Sequence, residues 1–462
     1  MNETRTKLID RLRETLDAKG VLTGEDVTPR YHADWSRENP CRPEVVLRPA
    51  DTHDLSKALA LCNAAGQPIV IQGGMTGLSG GATPRHGEWA MSLERLRGIV
   101  ELDPDSMTIT ARAGTPLEAV QQAAEEAGFI LPLDLGARGS CNIGGNISTN
   151  AGGNSVIQYG MARALVLGLE AVLADGTIIR SRNKLLKNNA GFDLKQLFIG
   201  SEGTLGVVTE VTLRIFPRTL SRQSALCGLA TFADVVAFFK AMKQQFGIIT
   251  AFEVMWANYY RYAMENVNHL RDAFGQEHNF YILLETEGND PDLDQQHFQN
   301  VLNAELERGR LQDVVMANTL EERDSFWAIR DAVGEFLLSM LRPANFDIGI
   351  PLGVMDQCLQ EIVAALTARF DKLQFVTFGH LGDGNVHFIA TTGRHEDNQA
   401  IYDIVYTIIG RYQGSITAEH GIGVLKKEWL YLSRTPEEIA LMKTLKRAMD
   451  PNNILNPGRV IE

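Results

Sequence analysis

Pro68-Ile69-Val70-Ile71-Gln72 is an apolar, β-branched run that passes without a break into Gly73-Gly74-Met75-Thr76-Gly77-Leu78-Ser79-Gly80-Gly81. Glycine at this density directly after a strand lets successive backbone N–H groups approach an anion and form a concavity for a phosphate. The plainer reading is a flexible surface loop. A second stretch of the same kind follows Leu131-Pro132-Leu133-Asp134. It runs Gly139-Ser140-Cys141-Asn142-Ile143-Gly144-Gly145-Asn146-Ile147-Ser148-Thr149-Asn150-Ala151-Gly152-Gly153, small and polar with hardly any charge. Such a surface suits a cofactor held by hydrogen bonds and close backbone approach rather than by ion pairs. A third stretch is Gly200-Ser201-Glu202-Gly203-Thr204-Leu205-Gly206-Val207-Val208-Thr209-Glu210. None of the three is a G-x-G-x-x-G between a strand and a helix, and no G-x-x-x-x-G-K-[ST] occurs, which disfavours a nicotinamide Rossmann domain and a P-loop.

Around these loops the sequence alternates helices and strands. Leu8, Ile9, Leu12 and Leu16 fall at helical spacing over residues 5–19 and predict a docking helix stopped by Gly20. A strand at Val45-Val46-Leu47, a helix over 52–65, a strand near Met107–Ala113 and a helix over 116–127 follow. Strands are expected at Leu165–Leu173 and Ile178-Ile179, across the turn Ala174-Asp175-Gly176-Thr177. Beyond Pro217 the composition changes, so a second domain is expected over 219–420 and a terminal segment over 421–462. Phe326, Ile329, Val333, Phe336 and Leu337 form one apolar helical stripe, and Arg330 lies inside it. A guanidinium there either snorkels to water or grips a carboxylate with two parallel hydrogen bonds. Thr435-Pro436-Glu437-Glu438 is a capping box that opens the last helix.

The densest set of metal-capable and proton-transferring side chains is Gly379-His380-Leu381-Gly382-Asp383-Gly384-Asn385-Val386-His387 with Ala418-Glu419-His420-Gly421. Phe375–Phe378 and His387–Thr392 read as strands around a tight turn, so His380 and His387 can face each other across a hairpin. Two imidazoles, a carboxylate and an open position make a catalytic cation site, with Glu419 as third ligand. Equally, the two histidines can be satisfied polar residues and Glu419-His420 a surface pair. Adjacent residues on a regular strand point to opposite faces, so both Glu419 and His420 serve one site only on irregular backbone. Gly414, Gly421 and Gly423 permit that.

Composition sets the class. The chain has 462 residues, 44% of them hydrophobic and 22% charged, enough for two or three domains of an ordinary globular protein. A net charge of -13 argues against a nucleic-acid surface. Five scattered cysteines without a C-x-x-C suggest neither a disulfide framework nor a cysteine metal site, and fit a reducing compartment. With mixed-charge helical sequence from Met1 to Lys7 and no later run of membrane-spanning length, a cytoplasmic protein without a transmembrane segment is expected.

Taken together, Gln72–Gly81, Ile143–Gly153 and Gly200–Glu210 resemble the flavin domain of the FAD-linked oxidases and dehydrogenases related to vanillyl-alcohol oxidase. From about residue 40 to 462 the chain resembles that family's D-2-hydroxyacid dehydrogenases, which include D-lactate dehydrogenases, glycolate oxidase subunits and D-2-hydroxyglutarate dehydrogenases. The resemblance implies an α+β fold: a two-subdomain FAD domain over 1–218, an α+β cap over 219–420, and a C-terminal helical segment returning to the flavin domain. It implies FAD held by Gly73, Gly74, Met75, Thr76, Gly77 and Leu78 at the pyrophosphate. Further cofactor contacts are implied at Pro132, Asp134, Gly139, Ser140, Gly144, Gly145, Ser148, Thr149, Asn150, Gly153, Glu202, Gly203, Gly206, Val207, Val208 and Asn456. The family's metal motif matches at His380, His387 and Glu419, for Zn²⁺ or another divalent cation, and its base matches at His420. Met75 stands where relatives carry an attaching histidine, so non-covalent FAD is expected.

The implied reaction passes hydride from C2 of a D-2-hydroxy acid to flavin N5. The cation binds the α-hydroxyl, His420 takes its proton, Arg330 fixes the C1 carboxylate, and Asn385 is a neutral hydrogen-bonding neighbour. D-2-hydroxyglutarate is the first expectation and D-lactate or another monocarboxylate the alternative. In the D-2-hydroxyglutarate enzymes a threonine and a lysine meet the distal carboxylate; here Gly334 and Asn345 stand in those places, and Arg342 is the substitute cation. An electron-transfer flavoprotein, quinone or cytochrome is the expected acceptor, and a homodimer the expected assembly. Two other classes stay open: a metal-dependent hydrolase, which leaves the glycine loops without a purpose, and an assembly subunit, which leaves the polar cluster unexplained.

Overall fold

Three mostly apolar strands, Val45–Leu47, Trp89–Ser92 and Ile69–Gln72, lie parallel in that order. Continuous apolar runs suit such strands because a parallel sheet is covered on both sides. Val21–Thr23 adds an antiparallel edge. The helix Thr52–Ala64 makes the crossover; Asp51 caps it by accepting from the Asp54 N–H, and Leu55, Ala58, Leu59 and Cys62 face the core. The computed structural model describes residues 3–337 and 339–461.

This sheet belongs to the first of two compact units, built from the chain up to Gly153, Tyr159–Arg218 and the chain from Glu419 onward. Its second sheet is antiparallel, ordered Ile99–Asp103, Thr108–Arg112, Val207–Arg214, Val166–Val172, Ile178–Ser181. The tail completes the first sheet: Leu455 bridges Ile69, the Ile69 N–H donates to Ile454 O at 2.7 Å, and the Asn456 N–H donates to Ile69 O at 2.9 Å. Buried Lys446 fastens this tail through Thr204 O, Leu455 O and the Asp450 carboxylate. Its helix, Pro436–Met449, carries the expected capping box of Thr435 and Glu438. The N-terminal helix stops at Thr15, short of the expected residue 19.

The second unit comprises Asn154–Gln158 and Thr219–Ala418. Its seven-stranded sheet is antiparallel throughout, ordered Asp313–Met316, Ser221–Leu229, Phe280–Gly288, Ile249–Trp256, Gln374–His380, Asn385–Thr391, Ala344–Gly349. An aromatic core that includes Tyr259, Tyr260, Tyr281, Phe336 and Phe378 packs against it. The single helix expected over Phe326–Leu337 is two, Leu320–Asp331 and Val333–Phe336. Tyr259 explains the break: its buried hydroxyl donates to Arg330 O and accepts from the Val333 N–H, inserting into the backbone ladder. Among the described residues no helix is long and apolar enough to cross a membrane.

Candidate active site

The antiparallel register brings the second unit's polar residues into two rows on one face of the sheet. Residues directly opposite one another share a face. Glu253 pairs with His380, His380 with Asn385, and Asn385 with Gly349; one step along, Met255, Phe378, His387 and Asp347 align in the same way. His380 and His387 are therefore diagonal neighbours rather than directly opposed, with ring centroids 5.4 Å apart. Their ligand nitrogens come within 4.8 Å of each other, close enough for one cation. The short loop Leu381–Gly384 that joins their strands ends on Gly384, whose φ of 79° is the left-handed turn this tight hairpin needs. Gly379 is required for a different reason: a Cβ there meets Asn385 O at 2.3 Å.

Glu253 was not evident from sequence. It sits 127 residues from His380, and its only signal is a carboxylate in the mostly apolar strand Ile249–Trp256. Its Oε1 lies 2.7 Å from His380 Nδ1 and its Oε2 accepts from Arg330 Nε at 2.8 Å. Burial opposes its ionisation, but its partners His380 and Arg330 prevail and hold its carboxyl down to about 2. Arg330 is buried, not snorkelling. Its Nη1 donates to Asp331 at 3.1 Å, its Nη2 lies 3.2 Å from His380 Nε2, and its guanidinium sits 5.3 Å above the Phe378 ring. Three protein partners leave two of the five guanidinium N–H donors for another acceptor. Desolvation works against this cation, yet Glu253 and Asp331 keep it charged.

Asn385 is 3% exposed, and among the described residues neither its Oδ1 nor its Nδ2 has a partner. An amide is not left so without cost, so this position fits a polar ligand. Asp347, opposite His387, accepts from Thr417 Oγ1 at 3.2 Å, and its backbone carbonyl accepts from the Ala418 N–H at 3.0 Å. The chain leaves this sheet there. Glu419, the next residue, opens the last stretch of the first unit.

In the first unit, Glu419–Gly423 is strapped to all three glycine-rich loops. Glu419 Oε1 accepts from the Gly153 N–H at 2.8 Å; Ser79 Oγ donates to His420 O at 2.9 Å; the Glu202 carboxylate accepts from the Ile422 and Gly423 N–H groups at 2.7 and 2.8 Å. Burial pushes Glu202 up while those N–H groups oppose it. The backbone is irregular here, as two adjacent functional side chains require: Gly421 and Gly423 have φ of 77° and 52°. The ligand atoms of Glu419 and His420 lie within 4.8 Å of each other.

The first glycine loop fits a pyrophosphate. Among the described residues no acceptor pairs with the backbone N–H of Gly73, Gly74, Met75, Thr76, Gly77 or Leu78. Gly74 is obligatory because a Cβ would meet Ser140 O at 2.0 Å. Buried Gln72 Oε1 and Asn146 Oδ1 have no partner among the described residues, and Gly145 faces open space. Pro132 is buried, Asp134 pairs with Arg138 at 3.0 Å, and Gly139 is exposed. Ser148 and Thr149 turn their hydroxyls onto Gly144 O and Gly145 O at 2.8 and 3.0 Å, and Asn150 Oδ1 accepts from the Arg163 N–H at 2.9 Å. Val207 and Val208 are packed into the unit's two cores, leaving backbone as their route to a cofactor. Gly206 lies against the Phe198 ring. Asn456 turns its amide to backbone, accepting from the Ile71 N–H at 2.8 Å and donating to Glu202 O at 2.6 Å. Burial pushes the Cys141 thiol up, which leaves it a poor nucleophile.

Arg342 and Asn345 are exposed, and Arg342 holds a φ of 49° just before the strand Ala344–Gly349. Asn345 shares the face of the two rows, opposite Ile389, two positions along from Asp347. Gly334 lies in the short helix after the Tyr259 break.

Two family models match the chain: an FAD binding domain over residues 43–182 and the C-terminal domain of FAD linked oxidases over 219–460. A mitochondrial D-2-hydroxyglutarate dehydrogenase from Bos taurus is 38% identical over 96% of this chain and 81% of its own length. A D-2-hydroxyglutarate dehydrogenase from Xanthomonas citri pv. viticola is 35% identical over 98% of this chain and 96% of its own. Among solved structures, a substrate-bound p-cresol methylhydroxylase superposes with a TM-score of 0.78 at 15% identity, covering all of this chain and 98% of that one, a likeness of fold. The cytoplasmic location expected from sequence is corrected by these names, since the bovine relative and those from Arabidopsis thaliana and Danio rerio are mitochondrial proteins. Cysteine usage bears on the redox chemistry of the surrounding solvent, not on which membrane encloses it.

Proposed function

The chain belongs to the FAD-linked oxidase family, and from that premise we propose that it oxidises D-2-hydroxyglutarate to 2-oxoglutarate. FAD, when bound, accepts the hydride from C2. Gly73 to Leu78 would hold its pyrophosphate through their unpaired N–H groups, and the unpaired amide oxygens of Gln72 and Asn146 would accept from donor groups elsewhere on the cofactor. A divalent cation would be held by His380 and His387 with Glu419 as third ligand, and supplies Lewis acidity toward the α-hydroxyl.

The chain's own residues then have distinct work. Arg330 turns its two remaining N–H donors to the C1 carboxylate, held rigid by Glu253 and Asp331. Asn385, buried with an unpaired amide, pairs with the substrate's oxygens. His420 accepts the hydroxyl proton; its backbone is fixed to the first glycine loop by Ser79. The electrons leave to a carrier such as an electron-transfer flavoprotein, a quinone or a cytochrome. The single observation that carries this reading is a buried row, Glu253, His380 and Asn385, in which an arginine and an unpaired amide converge.

Turnover with an artificial dye acceptor tests it: D-2-hydroxyglutarate should yield 2-oxoglutarate and the L-enantiomer none. His387→Ala should keep its FAD and lose its metal, with turnover down roughly a hundredfold or more if the cation supplies several kcal/mol of charge stabilisation. Active wild-type enzyme with no stoichiometric metal would remove the cation from the scheme.

A further inference from the structure

We infer that Glu253 is a positioning residue: one buried carboxylate that fixes the tautomer of His380 and the placement of Arg330 together. The inference rests on the proposed roles of those two residues.

The hydrogen-bond chemistry around His380 permits one neutral ring. Glu253 Oε1, a carboxylate oxygen, can only accept, and it lies 2.7 Å from Nδ1. Arg330 Nη2 can only donate, and it lies 3.2 Å from Nε2. Only a ring with its proton on Nδ1 and its lone pair on Nε2 satisfies both neighbours. A metal-ligating histidine is ordinarily fixed in this way, by a carboxylate or carbonyl on the nitrogen that does not ligate. The lone pair that Nη2 meets is the one that would be offered to a cation, and Nη2 would then be left to the substrate carboxylate.

The second oxygen of Glu253 completes the device. By accepting from Arg330 Nε at 2.8 Å it holds the guanidinium at its root and leaves the Nη end toward the site. Glu253 is 1% exposed in a mostly apolar strand, where an ordinary core residue would be aliphatic. A carboxylate is retained there only with partners of this kind.

The alternative is a structural ion pair with no bearing on the site, and Glu253→Gln separates the two. Glutamine has one acceptor oxygen and one donor nitrogen. The guanidinium, donor only, keeps the oxygen; the amide then faces His380 Nδ1 as a donor while Arg330 Nη2 still donates toward Nε2, so no neutral ring satisfies both neighbours. Volume is conserved and the tautomer is no longer fixed. In the FAD-loaded protein labelled with ¹⁵N-histidine, the His380 signal, assigned by its loss in His380→Asn, should report a single Nδ1–H ring in wild type and lose that signature in Glu253→Gln. Zinc affinity, titrated into chelator-treated protein, should fall about 10–100-fold in Glu253→Gln. Glu253→Asp, which keeps a carboxylate, should retain the wild-type tautomer and recover part of that affinity.

A wild-type ring protonated at Nε2 overturns the inference, and this measurement needs no variant to fold. Unchanged zinc affinity in Glu253→Gln overturns it as well. Wild-type protein that binds no zinc but shows the Nδ1–H ring defeats the cation proposal and leaves the positioning of His380 and Arg330 standing.

Discussion

Replacing Asn456 by alanine should loosen the flavin-binding unit even though the side chain points at backbone. Its Oδ1 accepts from the Ile71 N–H at 2.8 Å and its Nδ2 donates to Glu202 O at 2.6 Å, and the residue is 4% exposed. Each buried group left without a partner costs about 1–3 kcal/mol, so the two together cost about 2–6 kcal/mol. Asn456 also holds a φ of 44°, where alanine adds about 1–2 kcal/mol of steric cost that asparagine tolerates better. Asn456→Gly, which removes the hydrogen bonds but not the backbone freedom, separates the two contributions. The unit has the size at which 1 kcal/mol moves the melting temperature by about 2–4 °C, so Asn456→Ala should melt at least about 6 °C lower when FAD release is followed by flavin fluorescence. Ile71 and Glu202 flank two of the glycine loops, so FAD affinity should fall with stability. A melting point within about 1 °C of wild type, with unchanged FAD content, would refute the assignment of these two bonds as a clamp.

Acid precipitation should leave all the flavin in the supernatant, since the first loop holds Met75 and no histidine and Cys141 is a buried, protonated thiol; colour in the pellet would contradict this. Arg342→Ala should lower kcat/KM for D-2-hydroxyglutarate far more than for D-lactate if the exposed Arg342 meets the distal carboxylate, and equal losses on both acids exclude it as the selector.

Local patterns were legible where they are locally decided. The capping box of Thr435 and Glu438 and the β-branched strand entering Gly73 are set by neighbours in sequence, and both form as expected. The hairpin between His380 and His387 was visible too, but its register was not: the imidazoles are diagonal because the turn spans Leu381–Gly384 and His380 pairs with Asn385. The helix break after Asp331 was hidden because it is made by the hydroxyl of Tyr259, 71 residues away from Arg330. Glu253 was hidden for the same reason. A lone glutamate in a mostly apolar strand announces that it has a partner without saying which, and its partners come from a neighbouring strand and a helix. The strapping of Glu419–Gly423 to three glycine loops likewise joins segments 220 to 342 residues apart, which no local pattern encodes.

The central claim is that FAD held by this chain takes a hydride from C2 of D-2-hydroxyglutarate. Anaerobic addition of that acid to the purified FAD-loaded protein should bleach the flavin absorbance and release stoichiometric 2-oxoglutarate, while L-2-hydroxyglutarate leaves the spectrum unchanged. A flavin spectrum that persists with both enantiomers, in protein whose FAD is reduced by dithionite, would contradict the account.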